Sequence, residues 1–195
     1  MFNVAVFVSG RGSNLRALFE KVSKEDVKIC AVISDKKDCG AVEFAEVNSI
    51  PVFFVNKKNE DGFNSYSKLV DELKKLNVDL VVLAGFLKKI PDEFVDEFEN
   101  KIINIHPGLL PSHGGKGMYG LNVHRAVFEA KEKISGATVH FVDKIYDNGK
   151  IIEQRSVNVI DAKSPEEIAA MVLKIEHELL PEVVQKFSKG YIKIN

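Results

Sequence analysis

The chain has 195 residues, 45% of them hydrophobic and 28% charged, with a formal net charge of −1. That balance suits one globular domain and offers no basic excess for nucleic acid or an acidic membrane surface. No apolar run comes near the roughly 20 residues needed to span a bilayer.

Residues 3–8 are β-branched and apolar without clean alternation, which suits a strand buried on both faces. A glycine-rich turn, Ser9 to Ser13, follows, and Asn14 to Lys21 then carries Leu15, Leu18 and Phe19 at helical spacing. The alternation continues with strands at Val27 to Ser34, Pro51 to Val55, Leu80 to Gly85 and Lys101 to His106. Helices are expected between them at Ala41 to Val47, Tyr66 to Leu76 and Pro91 to Phe98. Such a sequence of elements predicts an α/β fold with a doubly wound, mostly parallel sheet. After residue 111 the pattern changes. Ser112 to Gly120 is a glycine-rich loop, and Leu121 to Lys131 is helical. Ala137 to Val142 and Ile151 to Val159 read as antiparallel strands, with a hairpin-type turn at Asp147-Asn148-Gly149. A helix opens at Ser164-Pro165 and runs to about Phe187, with Pro181 as a possible kink, and Tyr191 to Ile194 reads as a last edge strand.

The N-terminus, MFNVAVFVSG, reads as a strand and not as a signal peptide, and there are only two cysteines, Cys30 and Cys39. A reducing cytoplasm is the expected setting.

Chemistry points first to Asn104 and His106. Two apart on a strand, they share a face, and Pro107 ends the strand beside them. The amide can donate to a developing oxyanion, and the imidazole can do the same or move a proton. A carboxylate partner is expected among Asp143, Asp147 and Glu153, and spacing does not choose between them. Gly12, Ser13 and Asn14, opening a helix, suit a phosphate. The full dinucleotide fingerprint is absent, which argues against a nicotinamide cofactor. The five histidines match no zinc-ligand spacing, so no metal is expected.

SGRGSN after the first strand, VVLAGF, INIHPGLLP and ATVHFVDKIYDNGKII stand in that order along the chain. Together they resemble the phosphoribosylglycinamide formyltransferases of the folate-dependent formyltransferase family. INIHPGLLP is shared with the wider family, and SGRGSN narrows the match to the glycinamide ribonucleotide enzymes. The resemblance implies a Rossmann-like formyltransferase fold in a single domain, 1–195. Its N-terminal half, to about residue 100, would bind the ribonucleotide phosphate, and the half from about 101 would carry catalysis and the folate.

By resemblance the catalytic residues are Asn104, His106 and Asp147, which closes the choice of carboxylate. The ribonucleotide is expected at Gly12, Ser13, Asn14, Pro107 and Glu176. The folate is expected at Leu87, Lys88, Ile90, Val142, Asp143 and Lys144. A cis Leu110-Pro111 bond is expected as well. The implied reaction passes the formyl group of 10-formyltetrahydrofolate, a co-substrate, to the amine of glycinamide ribonucleotide, with no tightly bound cofactor. The rival expectation is a formyltetrahydrofolate deformylase, which uses water and does not need the phosphate loop. No nucleic acid or membrane partner is expected, and the chain would act as a monomer or weak homodimer. Two family contacts lack counterparts: a polar residue where Leu173 stands, and an arginine near Phe63. His113 and Lys116, in the glycine-rich loop, are candidates to replace them.

Overall fold

The computed structural model describes residues 1–56 and 61–193. Its elements, in order, are β1 (Phe2–Val8), α1 (Ser13–Lys21), β2 (Val27–Ser34), α2 (Gly40–Val47), β3 (Val52–Phe54), α3 (Tyr66–Lys75) and β4 (Leu80–Leu83). They continue with α4 (Asp92–Glu97), β5 (Ile102–His106), α5 (Leu121–Glu129), β6 (Ile134–Phe141), β7 (Ile151–Asn158) and α6 (Pro165–Ser188). The seven strands form one sheet in the order β3-β2-β1-β4-β5-β6-β7. The first five are parallel, and β6 and β7 are antiparallel. The doubly wound sheet with antiparallel C-terminal strands is therefore as expected.

β1 shows why the sheet is buried on both faces. Val4, Val6 and Val8 join the apolar cluster under α1, α2, α5 and α6. Ala5 and Phe7 join the one under α3 and α4. The order reverses between β1 and β4, so the C-terminal ends of β1, β4 and β5 lie side by side at the switch point, where open α/β sheets take their ligands. Gly12 occupies the first turn at φ 74, and a Cβ there would stand 2.7 Å from that of Ala41. Only glycine lets α1 begin so close to α2.

Two elements differ from expectation. Tyr191 to Lys193 form no strand, and Ile194 lies outside the described residues. Gly190, at φ 71, ends α6 in the left-handed conformation. Its N–H bonds the Phe187 carbonyl, and the Tyr191 N–H bonds that of Lys186. That pair of bonds is a Schellman motif, which turns the chain back over the helix end instead of releasing it to a sheet edge. The second difference is the connection from β6 to β7. It is not a tight Asn-Gly turn but the whole segment 142–150, with Asp147 as the left-handed residue at φ 52. Gly149 is needed for room: a Cβ there would stand 1.9 Å from the Phe141 carbonyl oxygen. Pro181 sits buried within α6, which runs past it unbroken. Both cysteines are free thiols. No helix among the described residues is long and apolar enough to cross a membrane.

Candidate active site

Ile103 and Ile105 of β5 point into the core beneath α5 and α6. Asn104 and His106 therefore point to the opposite face, where Ile102 packs under α4. β6 pairs with β5 so that Asn104 faces His140 and His106 faces Thr138. β7 then sets Gln154 opposite Thr138. Antiparallel pairing thus gathers five polar side chains on one patch of the sheet. The sequence reading missed three of them: His140, Thr138 and Gln154. Their signal was the T-x-H alternation in ATVHF, which matches N-x-H in β5 only once the register is known.

Hydrogen bonds fix the ring tautomers. His140 Nδ1 lies 2.7 Å from the Phe141 carbonyl, which can only accept, so this nitrogen carries the proton. Nε2 is then free to accept from the Asn104 amide nitrogen at 3.1 Å. The Asn104 amide is held with its NH₂ toward the site, one hydrogen engaged and the other available. His106 Nε2 donates to the His113 carbonyl at 3.0 Å. Its Nδ1 faces Asp147 Oδ2 at 3.7 Å, while Asp147 Oδ1 stands 3.6 Å from His140 Nε2. One carboxylate thus serves two buried imidazoles. Burial pushes both rings below the ordinary histidine value, and the Asp147 charge pulls both the other way.

The chain leaving β5 is clamped. Thr138 Oγ1 donates to the Gly108 carbonyl at 2.6 Å and accepts from the Leu110 N–H at 3.1 Å. Gln154 Nε2 donates to the Leu110 carbonyl and to Thr138 Oγ1. Leu110-Pro111 is cis, as expected. Half-buried Pro107 follows His106 at the mouth of the strand.

At the end of β1, α1 begins with no side-chain cap and no acidic residue in its first turn, which leaves its first N–H groups and the positive end of its dipole for an anion. Asn14 lies in that turn and donates to Glu176 Oε2 of α6 at 2.6 Å, while its own Oδ1 is buried without a partner. Burial pushes the Glu176 carboxyl up to about 7, against the pull of the Asn14 bond. Two residues 162 positions apart, both expected at a ribonucleotide, are thus in contact.

The expected folate residues divide. Ile90 is buried, and half-buried Val142 packs against the same cluster. Leu87 is 51% exposed, its backbone N–H held by the buried Ser9 hydroxyl at the end of β1, and Lys88 is exposed. Asp143 accepts from the Ile145 N–H and the Asn148 amide, which braces its own loop. Lys144 is turned away to Asp96 of α4, at 2.6 Å. Among the described residues no group of three or more histidine, cysteine or acidic side chains is placed to hold a metal.

The family model described as "Formyl transferase" matches residues 2–184. The chain is 49% identical to the chloroplastic phosphoribosylglycinamide formyltransferase of Arabidopsis thaliana, over 97% of this chain and 66% of that one. It is 34% identical to the phosphoribosylglycinamide formyltransferase of Haemophilus influenzae, over the full chain and 91% of that protein. The chain spans 66%, 59% and 61% of the length of the three plant relatives it matches. Among solved structures, the phosphoribosylglycinamide formyltransferase of Anaplasma phagocytophilum superposes with a TM-score of 0.88 at 38% identity, covering 98% of this chain and 88% of that one. That of Brucella melitensis gives 0.84 at 35% identity, covering 98% of each chain. These relatives are named as transferases and not as hydrolases.

Proposed function

This chain belongs to the formyl transferase family, and we propose that it transfers the formyl group of 10-formyltetrahydrofolate to the amine of N1-(5-phosphoribosyl)glycinamide. The products are the N2-formyl ribonucleotide and tetrahydrofolate, a step of purine synthesis. The observation that carries this is the Asn104 amide, held by His140 Nε2, on the same strand face as His106, whose Nδ1 faces Asp147, at the mouth of a strand next to an uncapped helix start.

The amine attacks the formyl carbon. The oxyanion that forms is met by the free hydrogen of the Asn104 amide, held in place before reaction by His140. A preorganised donor of this kind lowers the barrier by about 2.7–4 kcal/mol. The attacking nitrogen must lose a proton and N10 of the folate must gain one, so the step needs a group that takes and returns a proton. With Nε2–H bound to the His113 carbonyl, neutral His106 offers Nδ1 as that acceptor. Asp147 stabilises the imidazolium once formed. Burial keeps the ring neutral at the start, and the nearby carboxylate limits the cost of charging it.

The phosphate is assigned to the start of α1 at Gly12, Ser13 and Asn14, the ribose to Glu176, and the reacting end of the ribonucleotide to the neighbourhood of Pro107. Leu87, Lys88, Ile90, Val142, Asp143 and Lys144 are assigned to the folate side, Ile90 and Val142 as an apolar floor. We assign the enzyme a single formyltransferase domain, a cytoplasmic setting and a monomeric or weakly dimeric state. A spectroscopic assay with a formyl-folate analogue tests the reaction. Formyl transfer that requires glycinamide ribonucleotide is expected; formate release at the same rate without it would replace transfer by hydrolysis.

A further inference from the structure

The loop after β5 returns to the site through two backbone groups. The His113 carbonyl accepts from His106 Nε2 at 3.0 Å, and the Gly115 N–H donates to Asp147 Oδ2 at 2.9 Å. The loop is poorly suited to hold them unaided. Gly115 and Gly117 sit at φ 95 and 93, and His113 itself is left-handed at φ 53. Glycine loses the most backbone entropy on ordering, and a side chain at positive φ carries a strain that surroundings must offset.

A tie to a rigid element is present. His113 Nε2 lies 2.7 Å from Glu132 Oε1. Glu132 stands just past α5, where Lys131 is left-handed at φ 53. The Lys131 N–H bonds the Phe128 carbonyl, and the Glu132 N–H bonds that of Val127. This Schellman motif pins the Glu132 backbone to α5. The helix is in turn anchored by fully buried Val123 and Val127. The path runs from the core through α5 and Glu132 to the His113 ring, and from there to its carbonyl and His106.

We propose that Glu132, through the imidazole of His113, is a positioning residue for His106: it fixes the carbonyl that holds the Nε2 proton and so keeps Nδ1 open as the proton acceptor. The physical reason is a competition. The Asp147 carboxylate faces Nδ1 at 3.7 Å and attracts a proton to that nitrogen. The His113 carbonyl attracts it to Nε2. If the carbonyl drifts away, the neutral ring turns to the tautomer with its proton on Nδ1, toward Asp147, and the acceptor is lost. Orienting partners of a functional histidine commonly set its tautomer in this way.

The inference rests on formyl transfer through His106, and its test separates the two. Full-length Glu132→Ala and Glu132→Gln proteins are compared with the parent by long-range ¹H–¹⁵N spectra of the His106 ring and by steady-state kinetics. Glu132 is partly exposed, so neither change threatens the core. The parent is expected to show the proton on Nε2. Glu132→Ala is expected to move it toward Nδ1 and to lower kcat by about 10- to 100-fold, with the ribonucleotide KM within about twofold. Glu132→Gln keeps an oxygen for the His113 ring and is expected to restore most of both. An unchanged tautomer in Glu132→Ala, or kcat within about twofold of the parent, overturns the proposal. A parent chain that transfers no formyl group removes the assigned reaction, and the ring spectra still decide the tie.

Discussion

The Asn104 amide nitrogen lies 3.1 Å from Nε2 of His140, directly across the β5–β6 pairing. Because His140 Nδ1 is committed to the Phe141 carbonyl, that Nε2 can only accept while the ring is neutral. The contact therefore sets which end of the Asn104 amide faces the site. Asn104→Leu removes the donor and is expected to lower kcat by about 10²–10³, with little change in ribonucleotide binding. His140→Ala frees the amide to rotate and is expected to lower kcat less. Steady-state kinetics of both variants checks the ranking; an equal or larger loss in His140→Ala would give His140 a more direct part.

The same contact predicts a pH dependence. Burial lowers the affinity of both His140 and His106 for a proton. Both are then neutral near pH 7, and kcat falls only as pH drops through values below the ordinary histidine range, about 6.5. Protonated His140 cannot accept from Asn104, and protonated His106 cannot act as a base. A kcat profile with its acid limb centred above that value would contradict the neutral starting state.

Thr138 bonds Gly108, Leu110 and Gln154 at once. Thr138→Val keeps the shape and removes the hydroxyl, leaving the buried Leu110 N–H without its partner. A stability loss of about 1–3 kcal/mol is expected in urea denaturation, together with reduced turnover because the turn that follows His106 is loosened. Unchanged stability would mean that the clamp is dispensable.

How much of this was legible beforehand follows from which forces act locally. The apolar runs of β1, β2, β4 and β5 and the glycine turn at Gly12 announce a doubly wound sheet, because burial on both faces and left-handed turns leave marks in short windows. Asn104 and His106 share a face by strand period alone. Asp147 came only from the resemblance, since spacing could not separate it from Asp143 or Glu153. His140, Thr138 and Gln154 depend on the register of three strands, which no local pattern carries. The Asn14–Glu176 contact joins the first helix to the last and was likewise not readable from spacing. Tyr191 and Ile192 have strand-forming side chains, but Gly190 before them closes a helix cap, and the cap prevails.

Glu176 gives a prediction of opposite sign for stability and binding. Its carboxyl is pushed up to about 7, so as pH rises from the ordinary carboxylate range toward 7 the unfolded chain releases this proton first and stability falls. Glu176→Gln removes that slope while keeping an oxygen for Asn14. The variant is expected to be more stable than the parent at about pH 8, close to it at about pH 4, and to show a raised ribonucleotide KM. His124, pushed down to about 4 chiefly by burial, contributes a slope of the other sign below neutrality. The difference between variant and parent isolates Glu176. Thermal melts across that range and KM at neutral pH provide the check; a variant less stable at pH 8 would contradict the buried, proton-holding carboxyl.

The most direct measurement is formyl transfer by His106→Ala, with calorimetric binding of glycinamide ribonucleotide alongside. General acid–base catalysis supplies about 10²–10⁴ in rate. Turnover is therefore predicted to fall by at least about 100-fold, while ribonucleotide affinity, assigned in the proposal to the start of α1 and to Glu176, is predicted to stay within about threefold of the parent. Turnover close to the parent's would show that His106 does not carry the reaction, and the proposed mechanism would fail at its centre.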